Sequence, residues 1–409
     1  MTTFIIDHQC PQCGAPAELA ETDRLFRCGF CRVASCLTVA DHFRYVLPHK
    51  APAGKTLFFF PYWRFKGMYV ACLASGVESR IVDVSHQALS SRHLPFSVGL
   101  RSQTQRLRFA AGESGGRFVK VRTGRSDFLS VLNQRLAEEI RQPILHQVYI
   151  GEAVSLLYAP FYLDDRLYDA LLNQPLPDAS AEAVTPLLAD AEQPAWPIRF
   201  VPALCPHCGD DLDGACDTLV LTCANCRSAW TAENDRLAAI DCAHMVGSDP
   251  DPVFLPFWRM RAEVSPIALN SCADLIKTAN LPRIAPPGSE RQPLFFYAPA
   301  FKLPPRNLLS AAASVTINPP SGEFHAGPPA GRLQSVRLPL TEAVETIKPA
   351  IAGFMRPRER MVEALPEIRL RLRSATLVYL PFTETHHELV HRGLRLAVHR
   401  NVFGHSRNL

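Results

Sequence analysis

Two sets of four cysteines constrain this chain more than any other feature. Cys10, Cys13, Cys28 and Cys31 recur, at one constant shift, as Cys205, Cys208, Cys223 and Cys226, and in each set fourteen residues separate the two C-x-x-C pairs. One C-x-x-C pair presents two sulfurs from a single tight knuckle, and a second knuckle completes a tetrahedral shell of soft ligands. Gly14 and Gly209 follow the first knuckles, where a left-handed backbone lets amide N–H groups point at sulfur. The expectation is two structural zinc ions per chain, each held by four thiolates. Arg27, Arg32 and Arg227 lie close in sequence to offset the resulting negative charge.

The segment after each cysteine set also recurs. Phe60-Pro61-Tyr62-Trp63-Arg64 is matched by Leu255-Pro256-Phe257-Trp258-Arg259. Further apolar stretches broken by proline and an aromatic occur at Leu94-Pro95-Phe96, Tyr158 to Phe161, Tyr297 to Phe301 and Tyr379 to Phe382. They predict short strands, and because proline cannot donate to a sheet ladder, strands at edges, ends or bulges. Val121-Arg122 leads to apolar residues at helical spacing (Phe128, Val131, Leu132, Leu136, Ile140), as Val336-Arg337 leads to Val344, Ile347 and Ile351. Ser126 and Thr341 are the expected N-caps, and Pro349 should kink or end the second helix. Residues 173–199, rich in Ala, Pro and acid, predict a linker. The fold class expected is α+β: a tandem duplication, each half a four-cysteine zinc ribbon followed by a β-rich domain with one main helix. The divisions are a ribbon at 1–45, a domain at 46–172, the linker, a second ribbon at 200–245 and a second domain at 246–409.

The cysteine boxes, with the Pro-aromatic-Trp strand after them, resemble the rubredoxin-like zinc-ribbon superfamily, bacterial double-ribbon proteins of unassigned function above all. The resemblance covers roughly 40 residues per copy and implies a metal-stapled β-hairpin module used for contacts with protein or nucleic acid. Iron sites of the rubredoxin type use similar knuckles, but Arg32 and Arg227 stand where such sites carry glycine. A redox C-x-x-C is normally one exposed pair at a helix start.

With 409 residues the chain can hold two or three cores, and a net charge of +4 gives no strong global field towards nucleic acid or membrane. No uncharged apolar run is long enough for a transmembrane helix, and Met1 to His8 lacks the pattern of a signal peptide. Cysteines gathered in metal-type pairs suit a reducing cytoplasm. Cys72 and Cys272 carry no flanking signature of a nucleophile and are expected as buried thiols.

Three further patterns bear on function. His387-Glu388-Leu389-Val390-His391 matches H-E-x-x-H, whose chemistry needs both histidines on one helix face. The preceding Leu377 to Phe382 predicts a strand instead, and no acidic residue follows Glu388 to serve as a third ligand. A basic stretch runs from Arg101 to Arg141; in it Arg106 and Arg108, then Lys120 and Arg122, alternate as on one strand face, and Arg369, Arg371 and Arg373 do likewise later. Such a face can track a phosphate backbone or simply be solvated. Trp63 and Trp258, in apolar surroundings, predict core packing rather than base stacking. No phosphate-cradling glycine motif occurs, and Gly112 to Gly116 predicts a turn. The function expected is non-enzymatic: a zinc-binding protein-interaction or assembly factor with a protein partner. Nucleic-acid binding through the ribbons and the basic face is the alternative, and zinc-dependent hydrolysis at 387–391 a minor one.

Overall fold

The computed structural model describes residues 4–99, 106–111, 114–193, 196, 198–247 and 249–405. It is mixed α+β and mostly strand. The chain divides into two compact units, one comprising Met1–Lys66, Val82–Glu139 and Ala153–Pro202, the other Gly67–Ile81, Ile140–Glu152 and Ala203–Leu409.

The first part of the chain forms β1 (Ile5–Gln9), β2 (Pro16–Ala20), β3 (Leu25–Arg27), β4 (Ala34–Thr38), β5 (Phe43–Val46), β6 (Leu57–Leu73), β7 (Val77–Gln87), β8 (Arg106–Phe109), β9 (Arg117–Phe118), α1 (Arg125–Glu139), β10 (Ile144–Leu163), β11 (Arg166–Asp169), β12 (Gln174–Ser180), α2 (Ala181–Leu188) and β13 (Arg199–Pro202). Its main sheet runs β12-β11-β10-β5-β8-β1-β2, with β6 paired to β7, β9 and β10; β13-β4-β3 form a small second sheet. The core gathers Phe60, Tyr62, Leu107, Leu157, Phe161 and Leu167.

The later part forms β14 (Leu212–Asp213), β15 (Val220–Cys223), β16 (Ala229–Glu233), β17 (Arg236–Ala239), β18 (Cys242–Met245), β19 (Val253–Ser265), α3 (Cys272–Thr278), β20 (Phe296–Pro299), α4 (Pro305–Ile317), β21 (Phe324–Ala326), β22 (Arg332–Leu333), α5 (Leu340–Glu345), α6 (Ile347–Phe354), α7 (Arg358–Ala364), β23 (Arg369–Glu384), β24 (Glu388–His391), β25 (Leu396–His399) and α8 (Asn401–His405). β14 to β17 form the ribbon sheet, and β20-β19-β23-β18-β21 the body sheet. α4 and α6 belong to the same core as Leu255, Phe257, Met260, Val378 and Leu380. The body therefore carries several helices where one main helix was expected.

Matching positions make matching bonds. The indole N–H of Trp63 donates to the Thr123 carbonyl at 2.7 Å, and that of Trp258 to Leu338 at 2.9 Å. Arg122 and Thr123 both donate to the Ala88 carbonyl, as Arg337 and Leu338 both donate to Ala300. β5 runs parallel to β10 and antiparallel to β8, and β18 stands in the same relation to β23 and β21. Both tryptophans are buried, which fits core packing and rules out base stacking.

Five expectations need correction. Pro256 and Pro381 sit inside the central β19–β23 pair, opposite Tyr379 and Phe254, not at an edge. Pro256 turns its carbonyl away from β23 to accept from Ala300, so its missing N–H costs no ladder bond. Leu94 to Phe96 forms turns rather than a strand. Ser126 and Thr341 lie inside the first turns of α1 and α5; Asp127 accepts from Gly124, and Pro339 begins the second helix without a side-chain cap. Finally, 173–199 is no bare linker: β12 extends the main sheet of the first unit, α2 follows it, and β13 begins at Arg199 beside β4. The break foreseen at Pro349 falls at Thr346, between α5 and α6, which places Pro349 in the first turn of α6 where an N–H is not needed.

The second unit takes part of its core from far upstream. Met68, Val70 and Cys72 of β6 and Val148 and Ile150 of β10 are buried in the same cluster as β19, β23 and α6. Arg358 donates to the Ser75 carbonyl at 2.8 Å. His146 is half-buried near Lys348, and desolvation, then the lysine's charge, push its pKa down to about 4.

Within this upstream arm, Ile150→Ala should destabilise the protein by about 2–5 kcal/mol, the usual cost of a core cavity, with limited proteolysis opening first within 203–409. Because folded His146 resists protonation while the unfolded chain accepts a proton near pH 6.5, its contribution is full above that pH and is lost as pH falls towards 4. The loss is on the order of 2–3 kcal/mol. Urea midpoints of wild type and His146→Gln, compared from pH 7 to about 4.5, should converge as the pH drops.

Candidate metal centres

The first knuckle of each set is a turn closed by its own backbone. Gly14 donates to the Cys10 carbonyl at 2.9 Å, and Gly209 to Cys205 at 2.8 Å, both glycines with positive φ. The second knuckles use the same turn with arginine in the glycine position: Arg32 at φ 62° donates to the Cys28 carbonyl at 3.1 Å, and Arg227 takes φ 54°. An L-residue pays about 1–2 kcal/mol for that conformation, so tertiary demands on the knuckle outweigh local preference there.

These turns bring the sulfurs together. Cys10 Sγ lies 3.7 Å from Cys31 and Cys13 3.7 Å from Cys28. The corresponding distances for Cys205–Cys226 and Cys208–Cys223 are both 3.5 Å. A metal with bonds of about 2.3 Å to four sulfurs requires a tetrahedral edge of about 3.8 Å. The fit is close, and within each set all four ligand atoms lie within 4.8 Å of one another. All thirteen cysteines are free thiols.

Electrostatics lead to the same chemistry. The N–H groups of Cys31 and Phe30 aim at the Cys28 sulfur and pull its pKa down to about 6. Although the Val33 N–H favours its thiolate, desolvation and the neighbouring sulfurs push Cys31 up to about 12. Sulfurs this close cannot all ionise without a cation between them. Outside the clusters, burial raises Cys36 to about 11 and Cys72 and Cys242 to about 12, which leaves them unreactive. Cys72 is fully buried, as expected, whereas Cys272 is only half-buried.

The second cluster has an outer layer with no counterpart at the matching position of the first. Ser228 Oγ lies 2.9 Å from Cys226 Sγ and accepts the Trp230 indole N–H at 2.7 Å. That hydroxyl, then His207, draws the Cys226 thiol down to about 6. Val33 stands at the position matching Ser228. The sequence held this signal, a Ser and a Trp just past the last ligand, but spacing alone gave it no meaning. The Asp217–Arg337 ion pair at 2.9 Å, both side chains buried, ties the second ribbon to its body.

The other candidate residues do not form a site of this kind. Glu388 to His391 is strand β24, so 387–391 has no helix to align its histidines. His387 stacks on His399 and His391 Nδ1 accepts from Leu394, while among the described residues only the two cysteine groups bring three or more ligand atoms of His, Cys, Asp or Glu together. Arg106 and Arg108 do alternate outward on β8. Arg106 is bound to Asp7 and Glu18, Lys120 to Glu192, and Arg122 to Asp190, all at exposed positions. Arg101, Gly112 and Glu113 lie outside the described residues.

A buried charge cluster went unread in the sequence. Arg64, in the element after the first ribbon, binds both Glu21 and Asp83, with Lys66 Nζ 3.7 Å from Glu21. All four side chains are at most 5% exposed. The matching Arg259 has no such carboxylates among the described residues and lies 3.7 Å over the Phe295 ring.

Fold and site together define a mixed α+β protein with two four-cysteine groups that could hold metal ions. No family model, curated protein or solved structure matches the chain. No described helix is long and apolar enough to cross a membrane.

Ser228→Ala should weaken metal binding at the second site about 10–100-fold, the usual effect of removing an outer partner, and leave the first unchanged. Competition with a chromophoric chelator, read in Cys13→Ser and Cys208→Ser backgrounds that isolate each site, measures this.

Proposed function

We propose that the chain is a non-enzymatic zinc protein in which two structural zinc ions staple duplicated ribbons that serve as contact surfaces for a protein partner. The observation that carries this reading is the pair of four-sulfur clusters with edges of 3.5–3.7 Å. A four-thiolate shell leaves no open position for substrate, so zinc there supplies folding energy to a small unit and no chemistry. Ribbon membership in the rubredoxin-like superfamily remains a resemblance, supported by two C-x-x-C knuckles per unit. The duplication is supported by the tryptophan–carbonyl bonds and strand registers that recur at matching positions. Phe30, 71% exposed at a knuckle tip, and Leu204, 50% exposed beside Cys205, give the ribbons apolar contact points. The strand hairpin at 387–391 favours no hydrolytic role.

Elemental analysis should give two zinc ions per chain, one in Cys13→Ser or Cys208→Ser, and chelation should unfold the ribbons by near-UV circular dichroism. A chain that keeps its full tertiary signal after complete metal removal would sink the structural-zinc reading. Affinity capture with Phe30→Ser against wild type tests the partner reading, which predicts loss of a stoichiometric protein.

A further inference from the structure

The β19–β23 pair extends beyond its sheet. β20 pairs with β19 only at Phe257 to Met260, and β18 with β23 only at Cys242↔Leu377 to His244↔Tyr379. From there on, Arg261–Ser265 and Arg369–Ser374 pair only with each other among the described strands, as a two-stranded antiparallel ribbon. One face of it is apolar and mostly turned inward: Ala262 and Val264 belong to the core, with Leu370 packed against it, while Leu372, opposite Ala262, is 37% exposed. The other face is exposed and carries Arg261 and Glu263 from β19 and Arg369, Arg371 and Arg373 from β23. Glu263 sits opposite Arg371 and binds Arg373 at 2.5 Å, which places these side chains on one side. Arg261, Arg369 and Arg371 have no carboxylate partner among the described residues.

Matching positions in the first half show that this face is a substitution, not a default. Met68, Val70, Val148 and Ile150 stand where Glu263, Ser265, Arg369 and Arg371 stand in the second half. The first set is apolar and buried in a core. The second holds two arginines, a glutamate and a serine, all exposed, and unpaired charges of this kind are not taken into a buried packing. An apolar partner is thus excluded from the second ribbon, and an anionic one is favoured.

We propose that this ribbon binds the phosphate backbone of duplex nucleic acid. Successive arginines on one strand face are about 6.6–6.8 Å apart, and a two-stranded β-ribbon fits the major groove of a duplex. No aromatic side chain lies on the exposed face to stack single-stranded bases, so recognition is through phosphate and independent of sequence. The surface shares no residue with either cysteine cluster, and the proposal does not depend on what the ribbons around them contact.

Full-length, metal-loaded protein titrated into a fluorescent DNA duplex of mixed sequence and about 20 base pairs tests this by anisotropy across a salt series. At low salt, Kd should be on the order of 10⁻⁵ M, and log K should fall with log salt at a slope of about −3, close to −0.9 per phosphate neutralised. Arg369→Gln/Arg371→Gln, both exposed, should reduce that slope by about two and weaken binding at least tenfold, with metal content and melting unchanged. Arg106→Gln/Arg108→Gln should leave binding as in wild type. No binding at low salt overturns the proposal, as does binding lost with the Arg106/Arg108 pair but not the Arg369/Arg371 pair. Equal or tighter binding of polyglutamate, lost in the Arg369/Arg371 variant, would reassign the ribbon to an acidic polypeptide and overturn the nucleic-acid proposal.

Discussion

The second unit is organised around the antiparallel pairing of β19 with β23, which runs from Val253↔Phe382 to Ser265↔Arg369. Such a pair buries a continuous apolar face only if every backbone group between them is satisfied. Pro256 and Pro381 are tolerated because each can sit at a position where its nitrogen faces no partner. Trp258 then fixes the chain that returns from β22 by donating its indole N–H to Leu338, while Arg337 reaches back to Asp217 beneath the ribbon. Helices α5 and α6 begin where that returning chain ends. Loss of the strand register would therefore release the tryptophan contact, the ribbon anchor and the helical layer together.

Matching positions do not make the two units chemically equal. Arg122 meets Asp190 at an exposed site, whereas Arg337 meets Asp217 in the interior. Arg64 is held by two carboxylates, and Arg259 by an aromatic ring. An ion pair of the buried kind tolerates the loss of neither partner, because a single charge left in a low-dielectric interior is costly. The shared part of the design is thus backbone: the turn, the strand pair and the indole–carbonyl bond. Side-chain electrostatics around it differ between the two, and the second cluster carries the Ser228–Trp230 layer over its sulfurs.

Much of this was legible in the residues. Spacing of the cysteines located both clusters, because two close thiols per knuckle leave few other geometries. The recurring Trp63 and Trp258 elements pointed to buried anchors, and alternation marked Arg106 and Arg108 as outward-facing. Other features could not be read locally. The first-turn serine at 126 looked like a cap until Asp127 proved to hold the Gly124 N–H. Residues 173–199 had a linker's composition, yet β13 adds to the strand next to the first ribbon's second knuckle. Composition reports solubility and flexibility of a free segment, not whether a sheet edge is waiting for it.

By itself, the sequence determined the two four-sulfur groups, the repeated Pro-aromatic-Trp element and the alternating basic strands. Each is set by short-range covalent spacing or by a period of two. Only the tertiary structure decided which carboxylates reach Arg64, that Met68 and Ile150 serve the core of the second unit, and that the arginines of β23 gather on a ribbon with a bare outer face. Those outcomes depend on contacts between residues far apart in the chain, and one strand's pattern does not specify which distant strand will bury it.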